Sequence, residues 1–110
     1  MGLQLAGGRE AAVNEHQRNL RDINIAIGRY GHRRALTLAR SRKDATAYRR
    51  AVLQAYGDIA GERALEAMYA DLLAEADGLM DAETDEDAAR LDALGDFLVD
   101  WESEDWEDPQ

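Results

Sequence analysis

The stretch VNEHQRNLRDINIAIGRYGHRRALTL, residues 13–38, decides the fold. Two periods compete in it. Val13, His16, Leu20, Ile23, Ile27 and Tyr30 follow one another at alternating steps of three and four, the seam of an amphipathic, coiled-coil-like helix. Ile23, Ile25 and Ile27 alternate instead, as do Leu36 and Leu38, and the residues from Gly28 to Arg34 between them have the makings of a hairpin turn. The three-four pattern is longer and its flanks are helix formers. Helix is therefore the expectation for the stretch from Val13, ended by Gly28 and Gly31, with a β-hairpin near 23–39 as the alternative.

Residues 1–8, before this stretch, are expected to fray. After it, the segment from Arg33 to Tyr56 reads as helical. Leu38, Ala45 and Val52 recur every seventh residue, and Tyr48, Ala51 and Ala55 fill the same face. Asp44 offers an alternative there, as the cap of a new helix after a break at Ser41 to Lys43. Gly57-Asp58 reads as a stop and a fresh start. Leu65, Met68, Tyr69, Leu72, Leu73, Ala76, Leu79 and Met80 then keep one helical face apolar as far as Asp81. Thr84 to Asp87 resembles a capping box, and Ala88, Leu91, Leu94, Leu98 and Trp101 form the inward face of the next helix.

Composition agrees with this pattern. Ala is abundant, the one Pro is Pro109, the one Phe is Phe97, and the two Trp are Trp101 and Trp106. The expected class is all-α: a small antiparallel bundle of about four helices with a mobile acidic C-terminal tail. One helical domain is expected over 1–101, with a basic half to residue 50 and an acidic half beyond it, followed by a tail at 102–110. With no Cys among 110 residues, disulfides, thiolate chemistry and cysteine zinc sites are excluded. Gly7-Gly8-Arg9-Glu10 interrupts any signal-peptide core. No apolar run approaches the roughly 20 residues that cross a bilayer. A cytoplasmic chain without membrane contact is expected (host cytoplasm if it is phage-encoded).

The net charge of −10 hides two opposite regions. Residues 1–50 hold eleven Lys and Arg against four acids, and residues 51–110 hold two Arg against nineteen acids. The first candidate surface is the basic belt of Arg29, Arg33, Arg34, Arg40, Arg42, Lys43, Arg49 and Arg50, which would meet phosphates. The second is acidic: Asp81, Glu83, Asp85, Glu86 and Asp87, then Asp100, Glu102, Glu104, Asp105, Trp106, Glu107 and Asp108. Its carboxylates would imitate a phosphate track, and Trp101 and Trp106 would anchor a partner. The two halves can equally neutralise each other within one fold or across a homodimer.

Catalytic chemistry is not signalled. His16 and His32 are the only histidines, Ser41 and Ser103 the only serines, and no triad, phosphate loop or two-His metal motif links them. His16 reads as a packed seam residue. Asp81, Glu83, Asp85 and Asp87 resemble calcium-loop ligands, but Glu86 stands where the sharp turn needs Gly. Glu62, Glu66 and Asp71 read as a solvated face. The glycines at 28, 31, 57 and 61 do not frame a helix-turn-helix. No cofactor or metal is expected.

Small, acidic, cysteine-free helical chains of this kind resemble the inhibitors that phages carry against host nucleases and CRISPR complexes. The resemblance implies a non-catalytic binding protein whose acidic, partly nucleic-acid-mimicking surface blocks a basic, nucleic-acid-binding protein. An alternative resembles antitoxins and phage packaging proteins: a nucleic-acid binder that uses the 29–50 belt and an acidic regulatory tail. A homo-oligomeric assembly protein, in which the first seam would pair two chains as a homodimer, is the third. The autoinhibited version of the second reading predicts that removing residues 100–110 strengthens nucleic-acid binding, measured by fluorescence anisotropy.

Overall fold

The computed structural model describes residues 2–81 and 83–102, with side chains described from residue 14 onward. Five α-helices follow in order: α1 (Gly2–Tyr30), α2 (His32–Arg42), α3 (Ala45–Tyr56), α4 (Asp58–Leu79) and α5 (Asp85–Glu102). No strand occurs among the described residues. The hairpin alternative at 23–39 is overturned, and the burial pattern gives the reason. Ile23 and Ile27 are buried while Ile25, between them, is exposed. A strand would put all three on one face, whereas a helix puts only the four-apart pair there.

Three boundaries differ from expectation. α1 begins at Gly2 and takes in the residues expected to fray. Glu102 belongs to α5, and residues 103–110 of the expected tail lie outside the described residues. The segment from 33 to 56 is two helices, which makes five where about four were expected. Lys43 breaks it with left-handed backbone angles, φ 57 and ψ 43. Its N–H meets the Arg40 carbonyl at 3.2 Å and the Asp44 N–H meets the Ala39 carbonyl at 3.1 Å. That closes α2 as a Schellman motif.

α3 is the central element and packs against α1, α2, α4 and α5. Ala45, Ala47 and Ala51 are fully buried on it, and small side chains there let neighbouring backbones approach. Tyr48, also fully buried, supplies bulk, and its hydroxyl donates to the His32 carbonyl at 3.1 Å. Burial pushes that hydroxyl's pKa far above its ordinary value, Tyr56 adds to the rise, and Arg33 opposes it. Ile23 and Ile27 of α1, Leu36 of α2, Leu65, Met68 and Leu72 of α4, and Leu94, Phe97 and Trp101 of α5 complete one buried cluster.

Several side chains depart from the expected faces. Tyr30, Leu73 and Met80 are exposed, and so are Ala55 and Ala88. His16 is half-buried and is not a member of the buried core cluster. Its Nδ1 lies 2.9 Å from Asp44 Oδ2.

That contact belongs to the polar junction that fixes the start of α3. Asp44 Oδ1 accepts from the Ala47 N–H at 3.1 Å and from Thr46 Oγ1 at 2.9 Å. Oδ2 accepts from Asn19 Nδ2 at 3.1 Å. From the other side, Asp100 of α5 accepts from the Ala45 and Thr46 N–H groups at 2.7 and 3.3 Å. The free N–H groups of the first turn are thus met by two carboxylates, which also suit the positive end of the helix dipole. Burial raises the Asp44 carboxyl, but hydrogen bonds from Asn19, Ala47 and Thr46, together with His16, outweigh it and hold the group below the ordinary carboxylate value.

Two corners share one geometry. Gly31 has φ 90 and ψ 165, and Gly57 has φ 85 and ψ 173, a region that is essentially glycine-only. Each donates its N–H back to a helical carbonyl at 2.9 Å, Gly31 to Ile27 and Gly57 to Leu53. Each is the single residue between two helices, and each follows a Tyr.

Asp44→Ala is expected to cost about 3 kcal/mol in urea unfolding, from a lost cap and from buried partners left unsatisfied. Because the folded pKa of Asp44 is depressed, its stabilising contribution is full above the unfolded value and is lost as pH falls through the folded one, below about pH 4. Relief of the net negative charge acts in the opposite direction. The diagnostic is therefore the difference between wild type and Asp44→Asn, with the variant losing less stability on acidification. Gly57→Ala should destabilise by about 1–3 kcal/mol. Gly95→Ala, in mid-helix with no atom near an added Cβ, should stabilise by about 0.5–1 kcal/mol.

Candidate functional site

The basic belt does not form one continuous track. Arg29, Arg33 and Arg34 flank the Gly31 corner, Arg40, Arg42 and Lys43 lie at the far end of α2, and Arg49 and Arg50 lie within α3. Much of it is engaged inside the fold. Arg40 grips Glu75 of α4 through both nitrogens, at 2.7 and 3.0 Å. That hydrogen-bonded guanidinium lowers the Glu75 pKa against the opposing effect of burial, and Arg90 adds to it. Arg42 donates to Asn19 at 2.8 Å and to Asp22 at 3.0 Å. Arg33 makes one exposed, 3.4 Å contact with Asp71, worth little in water. Arg49 donates to the Trp101 carbonyl and lies 5.9 Å from the centre of its ring. Arg29, Arg34 and Lys43 are exposed and make no ion pair among the described residues.

The acidic set separates into two places. Asp81, Glu83, Asp85 and Glu86 gather at the connection between α4 and α5, all exposed and with no cationic partner among the described residues. Thr84 Oγ1 caps α5 there by accepting from the Asp87 N–H at 3.1 Å, and the half-buried Asp87 completes the first turn. Asp100 and Glu102 lie at the other end of α5, more than about 20 Å away by helical rise. Asp100 faces inward to cap α3. Glu102 accepts from the Tyr69 hydroxyl, and this bond raises the pKa of the phenol. Glu104, Asp105, Trp106, Glu107 and Asp108 lie outside the described residues.

Trp101 is a core residue, 5 % exposed, with ring centroids 5.7 Å from Tyr48, 5.9 Å from Tyr69 and 6.3 Å from Phe97. Its ring cannot serve as the partner anchor that the sequence suggested. Beside it, Arg49, Leu53, Glu62, Leu65, Glu66 and Tyr69 line a shallow cleft of about 250 Å³. The truncation that tests autoinhibition therefore has to start at residue 103, because a cut at 100 removes this ring and the Asp100 cap together.

Asn19 and Glu75 escaped the sequence reading, because they fill their roles only through residues 20 or more positions away in the chain. Among the described residues no helix is long and apolar enough to cross a membrane.

Trp101→Ala should cost about 3–5 kcal/mol, measured by chemical unfolding followed by far-ultraviolet circular dichroism. Arg40→Ala should cost no more than about 1 kcal/mol, since its pair with Glu75 is half exposed. No protein-family model, curated protein or solved structure matches the chain.

Proposed function

We propose that this chain is a non-catalytic binding protein. It presents the acidic corner between α4 and α5 to a basic, nucleic-acid-binding protein and blocks that partner's nucleic-acid track, in the manner of phage anti-defence inhibitors. One observation carries the reading: Asp81, Glu83, Asp85 and Glu86 are exposed and have no cationic partner among the described residues, while Arg40 and Arg42 of the basic belt are engaged within the fold.

Helix energetics support it. Asp77 and Asp81 sit at the C-terminal end of α4, where no basic residue occupies the last turn. Negative charge there opposes the dipole and costs about 0.3–1 kcal/mol per group. Stability gives no reason for acids at that position, whereas a cationic partner does. Asp85, Glu86 and Asp87, at the start of α5, are favourably placed, so the corner can hold its charge while keeping one helix start firm. Like charges grouped at one exposed corner give a surface whose association is fast and salt-sensitive.

The experiment uses a partner captured from a host lysate on the immobilised chain and eluted by duplex DNA. Asp81→Lys, Glu83→Lys and Glu86→Lys combined should weaken that partner at least tenfold and abolish its displacement from DNA. Asp77→Asn with Asp81→Asn should raise the melting temperature while weakening the same partner. Equal binding and equal displacement by the triple variant would sink the reading.

A further inference from the structure

At the opposite end of α4, about 30 Å from the acidic corner by helical rise, the surface has another character. The Gly31 and Gly57 corners meet there. The His32 ring, next to Gly31, stands edge-on to the Tyr56 ring with centroids 5.7 Å apart. The buried Tyr48 of α3 ties the first of these corners to the core by donating to the His32 carbonyl. Around this junction lie three exposed large apolar or aromatic side chains: Tyr30 at 59 %, Tyr56 at 40 % and Ile59 at 77 %. Residues 23–36 and 54–61, which build this end, hold three Arg and a single acid, Asp58. Arg29 and Arg34 have no ion-pair partner among the described residues, and Arg33 has only its exposed contact with Asp71.

We propose that this end, with Tyr30 and Tyr56 as stacking surfaces and Arg29, Arg33 and Arg34 as phosphate contacts, binds single-stranded nucleic acid. Three considerations select that occupant. Exposed phenol rings offer flat faces to unstacked bases, and such stacking does not depend on sequence. A duplex keeps its bases stacked inside, so the rings discriminate against it. A second copy of this chain is disfavoured, because a two-fold interface would set the Arg cluster against itself. The left-handed glycines are also what project the rings. Each Tyr is the last residue of its helix, and the chain turns away immediately after it.

The site is separate from the acidic corner. It relocates the phosphate contacts of the basic belt to three of its eight members, and the other end of α2 takes no part.

The test is fluorescence anisotropy of a labelled oligo-thymidylate about twelve nucleotides long, and of a duplex of equal length, from low to physiological salt. The single strand should bind more tightly than the duplex. Tyr30→Ala and Tyr56→Ala should each weaken it roughly tenfold, and Tyr30→Phe and Tyr56→Phe should restore most of that loss. Arg34→Ala should lower both affinity and the salt slope, while Lys43→Ala, at the far end of α2, should change neither. Circular dichroism of each variant confirms that its helices persist. No binding at low salt, a preference for duplex, or alanine variants that bind like wild type would overturn the proposal. So would a dimer in light scattering that Tyr30→Ala dissociates, because that end would then be a self-interface.

Discussion

A helix start leaves its first N–H groups without partners inside the helix, and at residues 45–47 those groups are buried or partly buried against the rest of the protein. Asp44 reaches them from the chain just before α3, and Asp100 reaches them from α5, more than fifty residues later. Asp44 is in turn held by Asn19 and His16 of α1. Three helices that come from distant parts of the chain are therefore joined at one helix terminus. The aromatic cluster of Tyr48, Tyr69, Phe97 and Trp101 builds on the placement this junction imposes. Asp100 and Trp101 are consecutive in α5, so the cap and the ring are positioned together. An apolar core this rich in Ala has modest packing energy, and directional polar contacts fix what its volume alone leaves loose.

The elements were legible from sequence where local chemistry sets them. The three-four spacing from Leu20 to Ile27 gave a helix because its buried members, Ile23 and Ile27, are four apart. Thr84 announced the start of α5, and Asp44 announced the start of α3 as an alternative that the structure adopts. The break before Asp44 was harder to see, because Lys43 takes a left-handed conformation usually given to Gly. Faces were less legible than elements. Tyr30 continues the α1 seam by spacing yet is exposed, because the chain turns at Gly31 before any neighbour can cover it. The candidate surfaces were the least legible. Charge counts cannot distinguish Arg40, which holds a carboxylate of α4, from Arg34, which holds none among the described residues. Asp100 and Asp81 look alike in sequence, and one closes a helix while the other faces water.

The charge division of the chain is thus partly internal and partly external. α2 meets α4 through Arg33–Asp71 and Arg40–Glu75, one exposed pair and one half-buried pair. These contacts match the two halves without cancelling them. Among the groups left without an ion pair in the described residues, Asp81, Glu83, Asp85 and Glu86 stand where α4 runs into α5, and Arg29 and Arg34 stand beside the Gly31 corner. Water and salt screen these two sets from each other over the length of α4.

The one-residue corners have a consequence for how such a chain can change in length. Adding a residue beside Gly31 or Gly57 would rotate the following helix by about 100° and lift it by about 1.5 Å. Every buried side chain after the insertion would leave its place in the core. The junction at Lys43-Asp44 is equally intolerant, because cap and hinge are adjacent residues. Among the connections between the described helices, the one after α4 is the longest. Insertions, deletions and changes of composition can accumulate there without disturbing the packing. Among the helix connections, freedom to change length therefore falls beside the exposed carboxylates of Asp81 and Glu83.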